Sequence, residues 1–176
     1  TSPTWLLRVF RYSVRTIGIT VPSGTIISAS GSAFCADSCA VPSDGTQVSV
    51  SAGRLGVQLA SSQQAKLLFV YIVDSITLED IASSLRKSRQ QLADELSKRG
   101  EQYLHSLSLM AESAGLASEE IVRVGIPYVE IERISREYAI DLIVMGVGHK
   151  KNRGIFIGDV TQRVMENVDC PVLVVK

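Results

Sequence analysis

The chain has 176 residues, 45% of them apolar and 20% charged, and its 18 Lys plus Arg balance 18 Asp plus Glu. That length suits one domain with room for a real core, and the zero net charge argues against nucleic-acid binding driven by bulk electrostatics. No run approaches the roughly 20 apolar residues that a membrane helix needs. Cys35, Cys39 and Cys170 are an odd count without a disulfide framework, which favours a reducing compartment. With only two His, they also make a poor metal set, so no metal site is expected.

Residues 1–38 are rich in Ser, Thr, Ala and Gly and have little helical periodicity. Within them, Trp5 to Val14 mixes apolar and basic residues: it reads as a short amphipathic helix, a signal-like remnant or cloning-derived sequence. Arg8, Arg11 and Arg15 interrupt it and fit a secretory signal poorly. The chain starts at Thr rather than Met, as a fragment, a processed chain or a regulatory domain cut from a larger transporter or kinase would.

Two segments compete for the first strand. Ile17 to Val21 alternates well, but Cys35 to Val41 is favoured, because the turn residues Pro42, Asp44 and Gly45 lead from it straight into a helix. Val48, Ala52, Leu55 and Leu59 place that helix at 46–62. The nearly continuous apolar run Lys66 to Val73 suits a strand buried on both faces of a parallel sheet.

Leu78, Ile81, Leu85, Leu92, Leu96, Tyr103, Leu107, Met110 and Ala114 step by three, four or seven, predicting one long helix over 77–114 that Gly100 kinks or interrupts. His105 falls on its surface and takes no role. A third strand covers 120–125, and Pro127 opens a helix over 127–138 with Ile131, Ile134 and Tyr138 inward. A fourth strand covers 142–145. Gly158 to Val168 is a helix with Val160, Val164 and Val168 facing in, and 172–175 is a fifth strand. Strands alternating with helices predict an α/β fold, an open parallel sheet with helices on both faces. Ligands on such sheets bind beyond the carboxyl ends of the strands, where the strand order reverses.

Five stretches carry a family resemblance: Val41-Pro-Ser-Asp-Gly-Thr, Phe69-Val-Tyr-Ile-Val-Asp, Gly125-Ile-Pro, Asp141-Leu-Ile-Val-Met-Gly and Cys170-Pro-Val-Leu-Val-Val-Lys. On these the chain from 39 to 176 resembles a universal stress protein domain, and residues 1–38 form an atypical extension. The resemblance implies a five-stranded parallel sheet of order 3-2-1-4-5. It further implies a cytoplasmic stress-response or signalling module without a catalytic residue, with an unidentified protein client and no nucleic-acid or membrane partner. It also implies a homodimer through the terminal strand, and Val172-Leu-Val-Val, flat and β-branched, is a pairing template of the kind an open edge provides.

Some members bind ATP through Gly-x-x-Gly, nine residues, then Gly followed by Ser or Thr. Here nine residues separate Gly148 from Gly158, but Gly146 lies one residue too close to Gly148, and Asp159 stands where the hydroxyl belongs. The resemblance places Pro42, Asp44 and Ile72 at the adenine and ribose, with Met145 and Gly146 beside them. Gly148, Gly158, Asp159, Val160 and Thr161 would face the phosphates, whose oxygens a Mg or Mn ion would bridge.

The physics divides. Glycines at 146 and 148 permit positive φ and close backbone approach, and His149, Lys150, Lys151 and Arg153 add positive charge. The helix opened by Gly158 offers free amides. Against this, the carboxylate of Asp159 itself suits a helix N-terminus and would take the place of a phosphate. A tight strand-to-helix turn beside a solvated basic loop, with Asp44 as a cap residue, fits the same residues. The remaining readings are a weak nucleotide hydrolase or phosphotransferase, and an interaction module that has lost nucleotide binding.

Overall fold

The structure is a computed structural model that describes residues 36–146 and 158–175. The element order is β1 (Ser38–Pro42), α1 (Gln47–Gln63), β2 (Lys66–Asp74), α2 (Ser75–Leu85), α3 (Arg89–Ser113), β3 (Ser118–Gly125), α4 (Pro127–Glu137), β4 (Leu142–Gly146), α5 (Asp159–Asn167) and β5 (Val172–Val175). All strand pairs are parallel, and the sheet runs β3-β2-β1-β4-β5, the expected order.

Alternating side chains divide the core into two layers. Cys39, Val41, Leu67, Phe69 and Val144 face α1 and α3, packing on Ala52, Leu59, Leu104 and Leu107. Ala40, Leu68, Val70 and Ile143 face the other way, against Ile131 and Ile134 of α4 and Val164 of α5. Coverage of both faces is the physical reason that the central strands read as apolar runs.

The first strand comes from the later of the two candidate segments, beginning at Ser38. Ile17 to Val21 and Cys35 lie outside the described residues. The helix expected over 77–114 is two helices. Arg86 takes a left-handed conformation (φ 51°) and closes α2, and Ser88 caps α3 by accepting from Gln91 N. Leu85, expected on the inner stripe, is 58% exposed at this break.

Gly100 does not interrupt α3. A Cβ there would lie 2.8 Å from Cγ of Tyr71, so the glycine makes room for a tyrosine ring against the helix backbone. In α5 the inward residues are Thr161 and Val164, whereas Val160 is 38% exposed, one step off the expected stripe.

A latch ties the amino ends of the central strands. Asp141 Oδ2 accepts from Asp37 N at 3.0 Å, Ser38 N at 3.0 Å and Ser38 Oγ at 2.9 Å. Bonds to an ionised acceptor are the stronger kind. They join β1 to β4 across more than a hundred residues of chain.

Candidate functional site

The helix after β1 packs on one face of the sheet and the helix after β4 on the other. These two strands are neighbours whose following helices lie on opposite faces, and in sheets of this kind the crevice lies beyond the carboxyl ends of such a pair. Pro42 ends β1 there, Gly146 ends β4, and Ile72 lies near the end of β2.

The crevice has an apolar floor. Ile72 and Met145 belong to the core layer under α4 and α5. Pro42 is buried and, by alternation from Ala40, shares that face. Three adjacent strands thus contribute one apolar residue each to the same side.

Gly146 is needed for space rather than for backbone angle. It is not among the positive-φ residues, so of the two properties expected of it, positive φ and close backbone approach, the second is the one it uses. A Cβ there would come within 2.9 Å of the carbonyl carbon and oxygen of Val48 and 3.0 Å of Ser49 N. The first turn of α1 therefore seats directly on the end of β4.

The turn between β1 and α1 is closely held. Ser43 N donates to Val70 O at 2.8 Å, and Gly45 takes the positive φ of 83° that the turn demands. Asp44 Oδ1 accepts from Thr46 N at 3.0 Å and Thr46 Oγ1 at 2.7 Å. Thr46 is the N-cap of α1, accepting from Ser49 N at 3.4 Å. Asp44 thus does act as a local turn residue, but its carboxylate is exposed and its Oδ2 takes no bond from the described residues.

Two residues of this region escaped the sequence reading. Tyr103, counted only in a packing stripe, sends its hydroxyl to Thr46 O at 3.3 Å and pairs it with Ser49 Oγ at 3.3 Å. No local signal announces a contact made across helices. The other is Ser43, which is 7% exposed, with a buried hydroxyl that finds no hydrogen-bond partner among the described residues. Such an unpaired group costs on the order of 1–3 kcal/mol.

Across the crevice, Gly158 is the N-cap of α5 (φ −62°, ψ 154°), without a side-chain cap bond. The amides of Asp159, Val160 and Thr161 open the helix and lack intrahelical acceptors. Asp159 is exposed at the first helical position and Thr161 is buried. An exposed carboxylate acts through water and salt, which weakens its repulsion of a nearby anion. Gly148 and the basic residues His149, Lys150, Lys151 and Arg153 lie outside the described residues.

Little of the described chemistry is nucleophilic. Burial pushes the Cys39 thiol up to about 12 and that of Cys170 up to about 11, so both stay protonated near neutrality. Burial, then the nearby charge of Asp44, also raises Tyr71. Among the described residues, no three His, Cys, Asp or Glu side chains gather as metal ligands. His105 is 67% exposed and lies 3.6 Å from Glu120, away from the crevice elements.

A five-stranded parallel sheet of this order, with helices on both faces, defines an open-sheet α/β domain, a class whose ligands bind at the switch point. Residues 37–176 match the model of the Universal stress protein family, and the chain belongs to that family. It is 31% identical to universal stress protein MJ0531 of Methanocaldococcus jannaschii over 137 residues, 77% of this chain and 79% of that protein. The solved structure of MJ0577 from the same organism superposes with a TM-score of 0.68 at 23% identity, covering 80% of this chain and 95% of that one. A universal stress protein solved in complex with cAMP gives a TM-score of 0.59 at 23% identity, over 81% of this chain and 98% of that one. At such identities the structural likeness speaks for the fold.

Proposed function

We propose that this protein is a non-catalytic stress-response or signalling module of the cytoplasm that binds an adenine nucleotide in the crevice beyond β1 and β4. The observation that carries the reading is the apolar floor of Pro42, Ile72 and Met145 beside Gly146, facing the free amides that open α5. A flat base suits that floor, and the phosphates suit the α5 N-terminus. The relative solved with cAMP supports an adenine nucleotide as the ligand class.

In this reading Asp44 faces the ribose with its uncommitted oxygen. Gly148, Gly158, Val160 and Thr161 face the phosphates, with a Mg or Mn ion bridging phosphate oxygens. Asp159 weakens ATP binding without abolishing it, since its exposed charge is screened. Two copies pair through β5, an open sheet edge on which Leu173, Val174 and Val175 remain half-buried.

Calorimetry with ATP and Mg tests the site. Binding that strengthens about tenfold in Asp159→Ser is expected, a gain of about 1.4 kcal/mol from removing a like charge. Absence of heat and of thermal shift at millimolar ATP, in both the parent and Asp159→Ser, would leave an interaction module without nucleotide. Sedimentation velocity tests the pairing, and a monomer at all concentrations removes it.

A further inference from the structure

We propose that Tyr103 of α3 is a positioning residue for nucleotide binding. Its ring and hydroxyl hold the turn between β1 and α1 so that the carboxylate of Asp44 meets the ribose. The inference rests on the reading above and adds a residue that acts through another instead of touching the ligand.

Asp44 uses one carboxylate oxygen on the turn itself, where Oδ1 accepts from Thr46 N at 3.0 Å and from Thr46 Oγ1 at 2.7 Å. Its other oxygen is therefore aimed by whatever aims Thr46. Tyr103 does this from outside the turn. Its hydroxyl donates to Thr46 O at 3.3 Å and lies 3.3 Å from Ser49 Oγ, which donates to the same carbonyl at 2.7 Å. Its ring faces Gly45 on the side where a Cβ would stand, at 3.8 Å from Cε2 and 3.9 Å from Cδ2, an ordinary contact distance. The two residues that follow Asp44 thus both rest on one side chain.

Tyr103 is itself fixed from behind. Its neighbours on α3, Leu104 and Leu107, are fully buried in the core layer under α1, and Tyr103 packs against that layer. The helix is a rigid reference for a turn shaped otherwise by short-range hydrogen bonds and one positive φ.

The physical role is pre-organisation. A ligand that needs one conformation of the turn binds more weakly in proportion to the time the turn spends elsewhere. Loss of a neutral hydrogen bond that holds the turn therefore predicts about three- to tenfold weaker binding.

Tyr103→Phe keeps the ring and removes the hydroxyl. Calorimetry on the full chain compares ATP with 2′,3′-dideoxy-ATP, both with Mg. The dideoxy ligand lacks the ribose hydroxyls and gives Asp44 nothing to meet, so the parent should bind it more weakly than ATP. Tyr103→Phe should weaken ATP about three- to tenfold and leave dideoxy-ATP unchanged, which also shows that the variant is folded. Equal losses for the two ligands overturn the proposal, since a hydroxyl that only steadies the fold moves both. Unchanged ATP affinity overturns it as well. A parent that binds the two ligands equally has a nucleotide site without the Asp44 contact, and the proposal falls while the site stands. If the parent binds neither, the functional reading fails, and this assignment with it.

Discussion

Gly146→Ala is the substitution that most directly tests how the crevice is built. The added methyl would stand 2.9 Å from the carbonyl carbon and oxygen of Val48 and 3.0 Å from Ser49 N. Carbon contacts settle at about 3.5–4.0 Å, so something must retreat by roughly half an ångström or more. All three atoms are backbone in the first turn of α1, and no rotamer change relieves them. Overpacking of this kind costs about 1–3 kcal/mol. Removing glycine from a strand returns about 0.5–1 kcal/mol, which leaves a net loss of about 1–2 kcal/mol. The turn that holds Asp44 hangs from the same helix end through Thr46, so nucleotide affinity should fall together with stability. Urea unfolding gives the first quantity and calorimetry the second. Gly158→Ala is the control for stability alone, because a Cβ there meets nothing within 4 Å among the described residues. If Gly146→Ala proves as stable as the parent, α1 does not seat on β4 as described.

Three further substitutions probe the frame. Asp141→Ala removes the acceptor for Asp37 N, Ser38 N and Ser38 Oγ, and urea unfolding should show a loss of about 2–3 kcal/mol. Gly100→Ala should destabilise by about 1 kcal/mol in the parent but stabilise by about 1 kcal/mol in a Tyr71→Ala background, since only the ring opposes the helical gain. For Cys39 the folded pKa of about 12 exceeds the ordinary 9.0, so its contribution is complete below pH 9.0 and is lost between there and about 12. Stability should therefore fall by up to about 1.4 kcal/mol per pH unit in that window, and fall less steeply in Cys39→Ala; identical slopes would contradict the burial argument.

The fold was legible where burial imposes a pattern. Leu67 to Val73 reads as a strand because helices cover both its faces, and Ile131 with Ile134 reads as an inner stripe because α4 turns one side to the sheet. Periodicity failed at Arg86–Ser88 for a specific reason. Leu85 to Leu92 spans seven residues, two helical turns, so the stripe keeps its phase across a break that Ser88 caps. In α5 the first inward residue is the polar Thr161, so counting apolar residues put the exposed Val160 in its place.

The candidate site was legible only in part. Pro42, Ile72 and Met145 gather on one face because strand period and strand order together put them there. Gly146 was picked out for positive φ and for close backbone approach; only the second holds, and that α1 is what approaches emerges only when distant segments meet. Tyr103 and Ser43 carried no local mark at all. The first is defined by a helix fifty-seven residues downstream of Thr46, the second by a partner it lacks among the described residues.

The latch at Asp141 also has a consequence for the order in which the molecule is made. β1 is the earliest strand described, yet it lies in the middle of the sheet with β2 on one side and β4 on the other. At synthesis rates of about 5–20 residues per second, the 103 residues from Ser38 to Asp141 take roughly 5–20 s. Through that interval β1, β2 and β3 can pair, while the flank of β1 that β4 will cover stands open. The innermost strand of the finished protein is an edge strand of the nascent one. The carboxylate that closes the gap arrives at the head of the very strand that fills it.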